Sequence, residues 1–366
     1  MKYILISWIL FVSLNLSAQD CTETSLLQKP GVWKEGLKGS VSGIQATDLD
    51  RERKVVASLH NLIKSKYTPM GVEADFYGSY DTPDAEIPVN NYNYNILFLH
   101  YYCEGNIMKT AHETSTSFFI AANRFDGNIY DTPAENNTPG EGYYSLIKMP
   151  VEKDGCFYFE ENASLGFGMI GKSRNWLITY DGKLPYAYVS RKEFLEKQKH
   201  MLLMAMPKSI ESSKENLKMN EEEKGRKEEE YKNDPEKLQS YLKKFYMYNK
   251  DRFEKEMLRT EQDYKNALSK IETLLQMPSG ELAQPAIIKK DPNDYLSYLF
   301  TTDDDAFGRV LIRPNPEYFN SKLPRSSPQF FLVNVTGNVK SAIAAEVMTD
   351  IMKNFDFTAL KNMLGK

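Results

Sequence analysis

The run in this chain best spaced for chemistry is Gly166-Phe-Gly168-Met-Ile-Gly171-Lys172-Ser173. It satisfies the spacing of a phosphate-binding loop and also Gly-x-Gly-x-x-Gly. Such a loop works only where it leaves a buried parallel strand and opens a helix, so that backbone amides converge on phosphate. Here the continuation Arg174-Asn-Trp-Leu-Ile-Thr-Tyr180 is strand-like, and no apolar strand ending in aspartate offers a magnesium partner. The run therefore reads as a connection between strands in which glycine permits positive φ. No cofactor is expected.

The four histidines are His60, His100, His112 and His200. His100 and Cys103 lie three apart on a strand, which puts them on opposite faces. His112-Glu113 lacks the second histidine of a zinc-protease helix. His100 and His112 supply two ligands at most across a hairpin. All four read as structural, and no metal ligand is assigned. Asp303-Asp304-Asp305 lacks the alternating oxygen ligands and later glutamate of a calcium loop, so it reads as a solvated turn. No Gly-x-Ser-x-Gly elbow exists. Carboxylate pairs for sugar hydrolysis meet only in the fold and cannot be recognised from spacing. No catalytic residue is singled out.

The environment comes from the N-terminus. Lys2 precedes an apolar run, Ile4 to Leu16, which is too short to span a bilayer but suits a secretory signal peptide. Ser17 and Ala18 follow, and cleavage is placed after Ala18. Cys21 sits where a lipid-modified cysteine can sit, but Gln19 and Asp20 are wrong for that processing. The chain is expected to be periplasmic or secreted, without a transmembrane segment in its mature form. Export lets a disulfide persist. Of three cysteines, Cys21, Cys103 and Cys156, the last two lie in strand-like text and form the favoured pair, with buried thiols as the alternative. A formal charge of −4 argues against a nucleic-acid partner.

These residues must be carried by elements. Val55, Val56, Leu59, Leu62 and Ile63 recur at helical spacing after Thr47-Asp48 and predict an amphipathic helix to about Lys66. Tyr92 to Cys103 and Thr114 to Ala122 alternate as strands, joined near Gly105-Asn106. Further strands are expected over 143–149, 156–161 and 175–181, with a surface loop over 131–142. The tyrosines between Tyr92 and Tyr188 suit half-buried strands, and a sheet face rich in them is also able to stack on a glycan or grip a partner.

Ser190-Arg-Lys-Glu193 has the form of a capping box that opens a long charged helix. Asn233-Asp234-Pro235 breaks it and starts a second. That one carries Leu238, Leu242, Phe245, Met257, Tyr264, Leu268, Ile271 and Leu275 along one broad side. Folded back, the two make a coiled-coil-like hairpin whose charged tip projects into water. Pro207 predicts a kink or break near Met206. Beyond it, 308–313 and 329–335 read as strands and 340–352 as a helix.

The chain is thus α+β: an antiparallel sheet packed on helices, with a long inserted antiparallel helical hairpin. The divisions are a signal peptide 1–18, a body 19–189, the hairpin 190–277, and a segment 278–366 that packs back on the body. Trp176-Leu-Ile-Thr-Tyr-Asp-Gly-Lys-Leu-Pro-Tyr186, Val189-Ser-Arg-Lys-Glu-Phe-Leu195 and Asn315-Pro-Glu-Tyr-Phe319, with the Ser-Ala-Gln cleavage region, resemble uncharacterised exported bacterial proteins. The resemblance implies export and brings no activity. The function expected is an exported, non-enzymatic binding or scaffold module whose hairpin contacts a protein partner. The alternative is an extracytoplasmic hydrolase of peptide or glycan with acidic catalytic residues not identified by spacing.

Overall fold

The computed structural model describes residues 21–36, 39–81, 87–124, 130–131, 143–153, 155–166, 169–180 and 182–366. The expected signal peptide, 1–18, and the expected loop beyond Asp131 lie outside the described residues. In chain order the elements begin with α1 (Glu23–Leu27), β1 (Val32–Glu35), α2 (Ala46–Lys64), β2 (Val72–Asp81), β3 (Asn91–Glu104), β4 (Ile107–Thr110) and β5 (Ser117–Ala122). They continue with β6 (Tyr130–Asp131), β7 (Tyr144–Leu146), β8 (Val151–Lys153), β9 (Cys156–Ser164), β10 (Ile170–Ile178), β11 (Tyr186–Tyr188) and α3 (Arg191–Glu230). After α4 (Pro235–Tyr241), a π-turn (Leu242–Tyr246) leads into α5 (Met247–Leu274). Last come α6 (Ser279–Leu282), β12 (Ile287–Asp291), β13 (Asp294–Phe300), β14 (Arg309–Pro314), β15 (Phe331–Gly337), α7 (Ala342–Lys353) and α8 (Phe357–Lys361). The protein is α+β, and its sheets are antiparallel apart from the parallel pairing of β1 with β2.

Two units divide the chain. The first holds residues up to Arg124, Val151–Lys183 and Phe319–Lys366. Its sheet runs β1-β2-β3-β5-β15-β10-β9-β8, with β4 beside the far end of β3. Strand alternation sends Tyr92, Tyr94, Ile96 and Phe98 of β3 to one face. There they join Val56, Leu59 and Ile63 of α2 and Ile343, Val347 and Ile351 of α7 in one buried cluster. The tyrosines Tyr92 and Tyr94 are thus core residues, closed from solvent. The other face carries a polar row. Asn334 donates to Ser173 and Asn175, and Thr336 donates to Asn334, all buried.

The β3–β4 hairpin turns at Gly105, whose φ of +61° is the left-handed value that favours glycine. The return strand is broken after Thr110 and resumes as β5, because both pieces pair with β3.

The second unit, Phe125–Pro150 and Leu184–Tyr318, has its own sheet in the order β13-β12-β14-β7-β6, with β11 beside β14. Of the segment 278–366, expected to return to the first sheet, β15, α7 and α8 do so, whereas β12, β13 and β14 build the second. The roots of α3 and α5 cover that second sheet: Phe194, Leu195 and Leu202 meet Tyr264, Ala267 and Ile271 over Ala286, Ile288 and Leu311.

Three details of the hairpin depart from expectation. Ser190 accepts from the Glu193 amide at 3.1 Å, but the Glu193 carboxylate reaches Arg313 instead of closing the box. Helix α3 continues through Pro207 without a break. The carbonyl that Pro207 leaves without its helical donor belongs to Leu203, which is exposed, so water can serve it. The second helix is interrupted by the π-turn, and the extra residue rotates the sides. Tyr246 is buried in the place expected of Phe245, and Phe245 is 59% exposed.

The expected Cys103–Cys156 disulfide is corrected. Cys103 bonds to Cys21, with Cα atoms 5.7 Å apart, and Cys156 is a buried thiol at the start of β9. Cys103, the last residue but one of β3, lies beside the N-terminal segment, because α1 packs against β3 and α7. The bond closes a sequence separation of 82 residues. In the chain-entropy model a loop of that size stabilises by about 4–5 kcal/mol. Cys21→Ser is therefore expected to lower the unfolding free energy by about 2–5 kcal/mol in urea titration. Reductant should bring the wild type to the same midpoint, and a variant with unchanged midpoint would remove this role from the bond.

Candidate functional site

A groove of about 740 Å3 runs in the second unit between α5 and β13. Arg259, Asp263, Asn266 and Lys270 fall at helical spacing and form one stripe of α5 along it. The opposite wall is β13, which contributes every residue from Asp294 to Leu299. Phe194, Leu195 and Gln198 of α3 add to the lining.

The Lys270 ammonium lies 3.0 Å from both Asp291 and Asp294. Those two contacts raise its pKa. The Asn293 amide and Lys270 hold the Asp291 carboxyl below the usual carboxylate range. Burial pushes Asp294 up, but the Ser297 hydroxyl, Lys270 and the Leu296 amide outweigh it, and its pKa is lowered. All three groups are therefore charged at neutral pH. The arrangement suits recognition by fixed charges and not proton donation, which requires a carboxyl raised toward neutrality.

The second feature is the distal hairpin. Asn220 donates to the Tyr246 carbonyl within the π-turn, and the Tyr246 hydroxyl donates to Glu221. With Tyr246 turned inward, Phe245, Met247 and Tyr248 stand exposed on the outer surface, and Tyr241 stacks on Phe245. Close to the charged tip the hairpin thus carries an aromatic and methionine patch.

The sequence candidates lie elsewhere. The glycine-rich run joins antiparallel β9 and β10, with Phe167 and Gly168 outside the described residues. No helix follows it, and Lys172 pairs with Glu160 at 3.3 Å. His60 bonds to the Tyr94 hydroxyl at 2.9 Å and stacks on Phe76. His100 is half-buried, with its Nε2 closed from solvent and unpartnered, and burial lowers its pKa. His112 lies just past β4 and is exposed, and His200 is exposed on α3. Among the described residues, no three His, Cys, Asp or Glu side chains gather as a metal site.

Asp303 accepts from the Met149 amide, Asp304 pairs with Lys148, and Asp305 accepts from Lys289 and Thr301. The turn between β13 and β14 is thus pinned by its own carboxylates. The groove itself was missed. Its signal was present in Asp291-Pro-Asn-Asp294, a turn between Ile287-Ile288 and the alternating Tyr295-Leu-Ser-Tyr-Leu-Phe300.

A buried polar chain in the first unit holds a carboxyl raised toward neutrality. Glu52 on α2 is closed from solvent and accepts from the Asn90 amide at 2.7 Å, while its Oε2 has no partner. Burial raises its pKa to about 7, against the lowering effect of Asn90. Beyond Asn90 lies Asn123, at φ 57°, whose side chain bonds Asn90, Ser327 and Gln329. Buried without access to either groove or surface, Glu52 reads as part of the frame.

No helix among the described residues is long and apolar enough to cross a membrane. Compared with known proteins, the chain matches no family model, no curated protein and no solved structure.

Glu52 makes stability depend on pH in a stated direction. Its folded pKa of about 7 lies above the ordinary value of 4.5, so the folded state holds the proton more tightly. The contribution is complete below the lower value and is lost as pH rises to the upper one, at a cost of about 3 kcal/mol. Glu52→Gln should unfold like the wild type at acid pH and be more stable above neutrality by up to about 3 kcal/mol. Urea titrations at the two pH values measure it, and parallel pH profiles would contradict it.

Proposed function

We propose that this is an exported binding or scaffold protein that engages a protein partner through the distal helical hairpin. The observation that carries the reading is the exposed patch of Phe245, Met247 and Tyr248 on a projecting helix pair. Helix α3 alone has 40 residues, or about 60 Å of length at the helical rise. Only its root packs on the sheet, and a helix pair that long is not needed to cover six strands. Aromatic and methionine side chains are the types enriched at protein interfaces.

Export is supported by the apolar run Ile4 to Leu16 and by the Cys21–Cys103 bond, which needs an oxidising compartment. A Cys21 engaged in a disulfide also has no thiol left for a lipid anchor. The periplasm or the exterior is the location inferred. The hydrolase alternative draws on Asp263, Asp291 and Asp294 in the groove. It ranks second because the Lys270 contacts favour the ionised form of two of the three.

Crosslinking in cells tests the partner reading. Phe245→Asp with Tyr248→Asp, or replacement of 213–258 by a short flexible linker, should abolish the crosslinked species. Both should keep the near-ultraviolet circular dichroism of the folded cores, since the root residues Leu202, Tyr264 and Ile271 remain. Crosslinks that persist in both variants reject the hairpin as the contact. N-terminal sequencing of the natural protein should begin at Gln19, and an intact Met1 would reject export by signal cleavage.

A further inference from the structure

We infer that the first unit has a ligand site of its own, a cavity at the junction of α7 and α8 that takes a small aryl dianion. It is distinct from the hairpin patch and from the groove of the second unit.

The cavity has a volume of about 430 Å3. Small-molecule sites run from roughly 300 to 1,000 Å3. Its lining comes from separate stretches of the chain that all belong to the first unit. Lys66 follows α2, Lys153 ends β8, Cys156 opens β9, Trp176 lies on β10, and residues 353–358 join α7 to α8. Strand register explains why a hollow forms here. Lys153 pairs with Cys156, while Val151 and Trp176 both pair with Tyr158. Alternation therefore puts Trp176, Cys156, Val151 and Lys153 on the face of the sheet that carries the apolar cluster. Helix α7 packs on β15 and the short α8 on β10. The outer end of that face is left uncovered, and Val151 is 63% exposed.

The lining is graded from floor to rim. Cys156 is buried, Trp176, Phe355 and Phe357 are half-buried, and Lys66, Lys153 and Lys353 are exposed. The floor is thus aromatic and the rim cationic. Phe357 lies 5.7 Å from Trp176 and 4.8 Å from Phe355 between ring centroids, so the three rings hold one another in place. A flat apolar body suits such a floor.

The rim sets the charge. Among the described residues, none of the three lysines has a carboxylate within ion-pair distance. The lining holds a single carboxylate, Asp356, and that one accepts from the Ala359 amide at 2.8 Å as the cap of α8. Three cations against one carboxylate leave two positive charges, in a chain whose formal charge is −4. Lys66 and Lys353 stand at helix C-termini, where a cation is favoured on its own account. That explains two of the lysines, but neither Lys153 on a strand nor the aromatic floor between them. A dianion with a flat apolar body satisfies both rim and floor.

The test uses the mature chain from Gln19 with Trp33→Phe, which leaves Trp176 as its only indole. Three aryl dianions, phenyl phosphate, phthalate and terephthalate, are titrated against Trp176 fluorescence. They separate a phosphate ester from a dicarboxylate as the preferred class. At least one should quench saturably, and bind about tenfold or more tighter than inorganic phosphate or benzyl alcohol. Lys66→Gln and Lys353→Gln should each weaken it about threefold. The triple variant Lys66→Gln, Lys153→Gln, Lys353→Gln should lose about tenfold or more, together with the weakening that added salt causes in the parent. These lysines are exposed, so near-ultraviolet circular dichroism should stay unchanged. Lys340→Gln, at the other end of α7, and the Phe245→Asp, Tyr248→Asp variant should bind as the parent does. No saturable quenching by any of the three dianions overturns the inference. So does equal affinity for inorganic phosphate, or full binding by the triple variant.

Discussion

Burial of β15 at the middle of the first sheet is the constraint on which that unit depends. The strand lies between β5 and β10, and every one of its seven residues is buried. Its two faces do different work. Phe331, Val333 and Val335 join the apolar cluster under α2 and α7. Asn334 and Thr336 meet Ser173 and Asn175 on the other side. A slip of one residue in the register would drive asparagine into the apolar cluster and valine into the polar row. Polar and apolar pairing therefore agree on a single alignment. Asn123, bonded to Ser327 and Gln329, fixes the approach of the chain to that position.

The hairpin is stabilised in a different way. Lys199 pairs with Glu272, Ser209 meets Tyr264, and Lys250 meets Glu221, so the contacts run in reverse order along the two helices. Near the sheet they are backed by apolar packing, which thins farther out. Exposed ion pairs each contribute little, on the order of 0–1 kcal/mol. Cohesion of the distal half thus rests on the few buried groups there, Asn220 and Tyr246 above all. The π-turn lets one helix present an inner tyrosine and an outer phenylalanine at adjacent positions. The same device that holds the pair together exposes its aromatic patch.

Much of the architecture was legible because its signals are local. Periodicity gave α2, the cap at Ser190 gave the start of α3, Asp234-Pro235 gave the start of α4, and alternation gave β3 and β5. What escaped depends on distance. No local pattern says that Cys103 neighbours Cys21, since their approach is set by α1 packing on β3. The π-turn was hidden because Leu242, Phe245 and Tyr246 fit an uninterrupted helix as well as an interrupted one, and Asn220, which tips the balance, lies on the partner helix. The split of 278–366 between two sheets was not readable from composition. The groove was half legible: the β12–β13 turn was in the text, but its position beside Lys270 needed the fold.

The place of β15 in the sequence has a consequence for timing. A ribosome delivers β3, β5 and β10 long before it delivers the strand that belongs between them. Until then β5 and β10 have open edges facing each other's missing neighbour, and the sheet exists only as two fragments. Because β15 comes so long after β10 in the chain, the sheet cannot close until the whole stretch between them has been made. The same order leaves the fragments sticky during the wait, so the nascent chain places a demand on whatever escorts it.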